Sequence, residues 1–346
     1  MGKTHPAQNS IRRRTHLPPH IAIALAALAC LTGCRSSNSN TEKAANGLIP
    51  VRLQADWYPQ PEQGGYFAAL VNGYYRAEGL DVTILPLSQY TAALQVVSSG
   101  NAEFGLGSSD QLLAGVSNGL PVIAIGATMQ HDPQAIMVHQ QSPVHDFPDL
   151  EGRSVAAQPG ATWYKFIVGK YHLKDVRETP ATHSIANFLA DPNYIQQIFV
   201  TSEPFFVKKS GVPYRTLLIS SAGYDPYRVF FTRRDFIDQH PDIVAKFTRA
   251  TIDGWKEYLR DPGAANALIL KLNPAQNPAQ MNYTLQALKD GGFITGVPGS
   301  APDDPHAQIG KMTADRWAAT NQQLTNLGIL SKPIDAASAY TLKFLP

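Results

Sequence analysis

Apolar and polar positions along this chain fall into short runs of two alternating kinds. Residues 51–56 and 80–85 alternate or run apolar over a strand's length, and residues 102–106 and 121–127 do the same. Between them lie helical periods. Residues 65–78 put Phe67, Leu70, Val71 and Tyr74 on one face and stop at Gly79; residues 90–99, with Leu94 and Val97, stop at Gly100; residues 110–118, with Leu112, Leu113 and Val116, stop at Gly119. After a polar, proline-containing junction at 145–152 the alternation restarts. Strands are expected at 154–157, 198–200 and 216–220, with helices at 161–172 and 204–210. From 241 the chain turns helical, at 241–260, 262–272, 278–290 and 313–327. Repeated β-α-β units imply an α/β protein with parallel sheets covered by helices on both faces.

Two such blocks followed by a helical tail predict two lobes. The expected boundaries are 50–140 together with 228–346 for lobe one and 141–227 for lobe two. Strand-like segments at 135–139 and 228–232 would carry the chain between them as a hinge. Hinged lobes close around ligands, and ligands of parallel α/β sheets sit beyond the carboxyl ends of strands.

The N-terminal residues follow a different pattern. Arg12, Arg13 and Arg14 precede an apolar run from 21 to 32, too short for the ~20 residues of a bilayer crossing. The run closes on Leu31-Thr32-Gly33-Cys34, which resembles a bacterial lipobox, and a Ser/Asn-rich stretch follows. Residues 1–33 therefore read as a lipoprotein signal, Cys34 as a lipidated N-terminus and 34–49 as a tether holding the protein at the outer face of a membrane. The composition agrees with a folded, exported domain: 44% hydrophobic and 16% charged residues rule out disorder for most of the 346 residues. Four of the 29 basic residues and none of the 27 acidic ones fall in the first 33, so the remainder is net −2 and gives nucleic-acid binding no electrostatic support. With Cys30 in the signal and Cys34 lipidated, the globular part has no thiol for a disulfide, a thiolate nucleophile or a metal.

The strand-end loops hold the candidate chemistry. The first, from Asp56 to Tyr66, gathers Trp57, Tyr58 and Tyr66 around Pro59 and Pro61, whose fixed φ stiffens it. A rigid Trp57 suits stacking on a flat ring; the plain alternative is that it plugs a core. The second loop carries Ser108 and Asp110, which cap the next helix or meet a ligand. The third offers Thr162 and Tyr164 after Gly160. In the fourth, Ser202 caps, Pro204 suits a first turn, and Glu203 is left to complement the helix dipole or accept a ligand N–H. Tyr224 lies just before the return crossing. These loops show Asp56, Asp110 and Glu203 and no Arg or Lys, so they favour a neutral or amine-bearing ring over an anion.

The run Asp56-Trp57-Tyr58-Pro59 through Gly64-Gly65-Tyr66, then Gly73-Tyr74-Tyr75-Arg76-Ala77-Glu78-Gly79-Leu80-Asp81-Val82, resembles the substrate-binding proteins of ABC importers for sulfonates, nitrate and thiamine-pyrimidine precursors. The pyrimidine branch is the most similar, and Asp149-Leu150-Glu151-Gly152-Arg153 and Ser202-Glu203-Pro204 extend the likeness across most of 51–258. The resemblance implies a two-lobed type II periplasmic-binding fold, a monomer without cofactor or metal, one small ligand such as a pyrimidine precursor, and delivery to a permease with its ATPase. It makes Trp57 an aromatic platform and Glu203 a pocket acid. That branch often carries Asn and His where this chain has Gln60 and Gln63, which leaves the ring's identity open; a flavin-type ligand, or a sulfonate or nitrate, is the alternative.

An enzyme is the alternative from another class, because the likeness extends to eukaryotic pyrimidine synthases that use PLP and iron. Their cysteine-rich motif is missing, no P-loop is present, and the histidines show no metal-ligand spacing. Gly115-Val116-Ser117-Asn118-Gly119 fits G-x-S-x-G but closes a helix, the wrong setting for a nucleophile elbow.

Overall fold

The computed structural model describes residues 47–86, 92–182 and 184–345. The signal, Cys34, most of the tether and the start of the expected helix at 90–99 lie outside them. Among the described residues, ten strands form two five-stranded sheets. The first contains β1 (Ile49–Gln54), β2 (Leu80–Leu85), β3 (Phe104–Ser108), β4 (Val122–Met129) and, last in the chain, β10 (Arg228–Arg233), in the order β2-β1-β3-β10-β4. The second contains β5 (Gln134–His139), β6 (Ser154–Ala157), β7 (Arg177–Pro180), β8 (Gln196–Phe199) and β9 (Tyr214–Leu218), in the order β7-β6-β8-β5-β9.

Neither sheet is wholly parallel, contrary to the expectation from β-α-β alternation. In the first sheet β1 pairs in parallel with β2 and β3, while β10 runs antiparallel to β3 and β4. In the second, β6 pairs in parallel with β7 and β8, while β5 runs antiparallel to β8 and β9. The cause is topological. β5 follows β4 yet belongs to the second sheet, and β10 follows β9 yet belongs to the first, so each sheet receives one strand arriving from the other. Such α/β sheets, each covered by helices, make the two-lobed fold.

Local chemistry accounts for most boundaries. Gly79, Gly100 and Gly119 all take the left-handed conformation that ends the preceding helix, as their spacing predicts. The expected helix at 65–78 is not continuous: Gly73 adopts φ +80 and splits it into Gly64–Val71 and Tyr74–Ala77. The expected apolar face is corrected with it: Phe67 is buried and Leu70 and Tyr74 pack partly against the core, but Val71 is exposed, and past the break Tyr75 reaches the core instead, stacked on Phe247. Strand Arg177–Pro180 and helices Ala186–Ala190 and Arg234–Gln239 are too short to show a period in sequence.

The first sheet is held by helix Pro241–Arg260, which begins at proline as expected and buries Phe247, Trp255 and Tyr258. Phe247 stacks on Phe104 of β3 with centroids 3.8 Å apart. Rings of this size contribute roughly 1.5–3 kcal/mol each on burial. Helix Gly64–Val71 lies so close to it that a Cβ on Gly65 would stand 2.1 Å from the Trp255 ring, and one on Gly64 2.2 Å from Tyr258. The consecutive glycines are thus a packing requirement. Gly65→Ala is expected to cost roughly 3 kcal/mol, the upper end for overpacking. Denaturant unfolding checks this, with Gly107→Ala as control, whose nearest neighbour is 3.5 Å away. Equal midpoints would refute the close-approach argument.

Candidate ligand-binding site

The carboxyl ends of β1, β3 and β8 and the two crossings bring their side chains to one place. β1 runs into Asp56-Trp57-Tyr58-Pro59, and the 3₁₀ turn Pro61–Gln63 folds the loop back. There Gln63 Nε2 donates to Asp56 Oδ1 at 3.1 Å, and Asn273 Nδ2 pins Pro59 O at 2.9 Å. Trp57 is half-buried and stands edge-on to Tyr58, with centroids 5.4 Å apart. Tyr58 is 45% exposed. The two rings therefore line the surface of the strand ends, and Trp57 is no core plug.

Glu62, in the same turn, is buried and accepts from Thr201 Oγ1 at 2.7 Å, a bond from the end of β1 to the loop after β8. Burial raises its carboxyl to about 7, with the charges of Glu203 and Asp56 adding to the shift and the Thr201 bond opposing it. Glu203 opens helix Glu203–Lys209, and its Oε2 accepts from Phe199 N at 2.9 Å. Burial pushes this carboxyl up as well, against that backbone bond. Ser202 occupies the cap position but makes no capping bond with its side chain.

Asp110 and Tyr224 make the second tie between the halves. Tyr224 packs against Phe166 in the core of the second sheet, and its hydroxyl donates to Asp110 Oδ2 at 2.7 Å. Asp110 also accepts from Gln111 N at 2.9 Å and from Ser108 Oγ, so Ser108 serves the carboxylate and does not cap the helix. Burial, then the Asp110 charge, carries the Tyr224 pKa well above its ordinary value, while half-buried Thr162 works the other way. Two expected site residues are placed elsewhere. Tyr66 is 1% exposed, edge-on to Phe230 and Trp255 and hydrogen-bonded to Thr128, which makes it a core residue of the first sheet. Tyr164 belongs to the core of the second sheet, edge-on to Trp163.

The strand-end rule overlooked the crossings, and they add a cation. Arg228, at the start of β10, reaches Asp132 Oδ1 at 3.4 Å and lies 4.9 Å over the ring of Phe199 at the end of β8. Burial works against its charge, but Asp132, Asp56 and Asp110 outweigh it, and its pKa is raised. The strand-end loops themselves hold no Arg or Lys, as expected, but the crossing strand sets this cation against them. From Asp132 a polar chain runs to the second sheet: Gln134 Nε2 donates to Asp132 Oδ2 at 3.2 Å, Gln197 Nε2 to Gln134 Oε1 at 3.2 Å, and Trp163 Nε1 to Gln197 Oε1 at 3.2 Å. Gln158 N also donates to Gln197 Oε1, at 2.9 Å. Among the described residues no cluster of His, Cys, Asp and Glu has metal-binding geometry, and no helix is long and apolar enough to cross a membrane.

Two sheets exchanging one strand each, with polar side chains gathered at their facing strand ends, define the fold of the periplasmic binding proteins. The aliphatic sulphonate binding protein SsuA from Escherichia coli matches with a TM-score of 0.64 at 14% identity, over 84% of this chain and 91% of that one. The nitrate-binding protein NrtA from Synechocystis PCC 6803 matches with 0.57 at 13% identity, over 86% and 87%. The family model described as NMT1/THI5 like matches residues 60–265, and the chain belongs to that family. Three curated relatives each cover more than four fifths of it. The riboflavin-binding protein RibY of Chloroflexus aurantiacus is 23% identical over 94% of this chain and 97% of its own length. The formylaminopyrimidine-binding protein of Halalkalibacterium halodurans is 23% identical over 92% and 96%. A 4-amino-5-hydroxymethyl-2-methylpyrimidine phosphate synthase of Legionella pneumophila is 26% identical over 86% and 92%.

Proposed function

We propose that this protein is the extracytoplasmic ligand-capturing component of an ABC importer and binds a small nitrogen-containing aromatic molecule between its lobes. The observation that carries the reading is the surface-lining ring of Trp57 next to half-buried Asp56 after β1, with half-buried Glu203 in the loop after β8, at strand ends joined across the two sheets by Glu62–Thr201 and Asp110–Tyr224. An aromatic plane with carboxylate acceptors around it suits a flat ring bearing N–H groups. Full-length similarity to a formylaminopyrimidine-binding and a riboflavin-binding protein supports a pyrimidine first and a flavin second. The synthase among the relatives supports an enzyme instead, yet the two cysteines here are Cys30 and Cys34, both assigned to export. A permease and its ATPase are the partners this role requires.

Mass spectrometry of protein purified without refolding, followed by calorimetric titration with aminopyrimidines, riboflavin, taurine and nitrate, tests the ligand class. Tight binding of taurine or nitrate alone would overturn it. The hinge is proposed at the two crossings, between β4 and β5 and between β9 and β10; the expected boundary at 140 moves ahead of Gln134, because β5 pairs with β8 and β9 in the second sheet, while the one at 228 stands at the start of β10. A ligand bridging the lobes favours the closed state by its differential affinity, so small-angle scattering should show compaction at saturation. An unchanged radius would remove the bridged cleft. The anchor is proposed at Cys34. Cys34→Ser is expected to move the protein from the membrane fraction, because stable anchoring needs more than one acyl chain. A mutant that fractionates like wild type would sink the lipobox reading.

A further inference from the structure

Arg228 is held as a charged group whose hydrogen-bonding capacity is largely unspent. A guanidinium has five N–H donors, and among the described residues Arg228 uses one, in a long 3.4 Å bond to Asp132. Its Nε is buried without a partner. The acids that keep it charged are each engaged with other donors. Asp132 takes Gln134 N at 3.0 Å and Gln134 Nε2 at 3.2 Å, Asp110 takes Tyr224, Ser108 and Gln111, and Asp56 takes Gln63. They supply field without closing a bidentate pair. Phe199, from the opposite sheet, lies under the guanidinium, its ring centroid 4.9 Å from Cζ. A planar, oriented donor fork left open in a largely buried place is suited to an oxygen that arrives with the ligand.

We propose that Arg228 is a specificity-determining residue of the ligand site, donating to a carbonyl or carboxylate oxygen on the bound ring. The inference rests on the aromatic-ligand reading above and narrows it. The acids select N–H groups, Arg228 selects an acceptor, and the preferred ligand carries both on one flat ring system. A purely amine-bearing ring leaves the fork unfilled. An inorganic anion fills it but faces the acids.

Two matched pairs of probes separate the cases: cytosine against 4-aminopyrimidine, and lumichrome against its 2,4-diamino analogue, in which amino groups replace both carbonyls, so that each pair keeps its ring system and N–H donors and differs chiefly in ring carbonyls. Calorimetric titration of the intact protein should favour the carbonyl-bearing member of the pair that fits by about ten- to a hundredfold, as expected for a buried donor left unpaired. In Arg228→Met combined with Asp132→Asn, which avoids stranding a buried carboxylate, the ratio should fall to about one. A merely structural Arg228 would weaken both members alike and leave the ratio unchanged, and that result overturns the proposal. Should the double variant fail to fold, Arg228→Lys keeps the charge and loses the fork; an undiminished ratio there overturns it equally. Equal binding of both members by the wild type refutes the role of Arg228 while the aromatic reading stands. Binding of none of the four refutes both.

Discussion

Glu62→Gln is expected to stabilise the protein by about 3 kcal/mol at pH 8 and to leave it unchanged at pH 4. In the unfolded chain this carboxyl ionises near its ordinary value of 4.5, whereas burial holds its proton to about 7 in the fold. Between those values the native state binds a proton that the unfolded state has lost, so stability falls as pH rises through the window. The loss is complete above it. A shift of about 2.5 units corresponds to about 3 kcal/mol at ~1.36 kcal/mol per unit. Glutamine keeps an acceptor oxygen for Thr201 and has no charge to bury. The groups facing Glu62 (Asp56, Glu203 and Tyr258) offer no cation to offset its ionisation. Denaturant unfolding of both proteins at the two pH values measures the effect, and an equal gap at both would refute it.

Trp57→Ala should weaken binding of the aromatic ligand roughly a hundredfold while leaving the melting temperature nearly unchanged. The substitution removes burial worth about 1.5–3 kcal/mol and stacking worth about 0.5–1.5 kcal/mol. Their sum amounts to about two orders of magnitude in affinity at ~1.4 kcal/mol per tenfold. Because Trp57 is half-buried beside exposed Tyr58, little of the fold leans on it. Calorimetry and thermal unfolding of the same preparation check both halves. A collapsed melting temperature with unchanged affinity would return Trp57 to the core.

Strand positions, glycine helix stops and the long helix Pro241–Arg260 were legible in sequence because each leaves a local mark: a period, a φ-permissive residue, a proline at a first turn. The antiparallel strands were not, since direction within a sheet is set by where the chain returns, and β5 and β10 look locally like any buried strand. The same limit governed the site. Asp56, Trp57 and Glu203 stand at carboxyl ends of strands, where a general rule points. Arg228 sits at the start of a crossing strand, where that rule does not look. Glu62 was visible in its loop, but nothing local reveals that Thr201, 139 residues away, would bury and bond it. Tyr66 was misread for the opposite reason. It shares a loop with Trp57, yet the glycines before it press its helix against Trp255 and carry its ring inward.

The loop after β8 is also fastened from helix Pro278–Asp290, where Tyr283 Oη donates to Val200 O at 3.0 Å and Thr284 Oγ1 to Thr201 O at 2.7 Å. Both acceptors are main-chain carbonyls, which every amino acid possesses. Substitution at 202, whose side chain makes no capping bond, can therefore change what the loop presents without unbuttoning it from its support. For a lineage, this makes the loop a socket with interchangeable fittings: drift toward a new cargo can proceed by single exchanges there, each tried on a backbone that stays where it was.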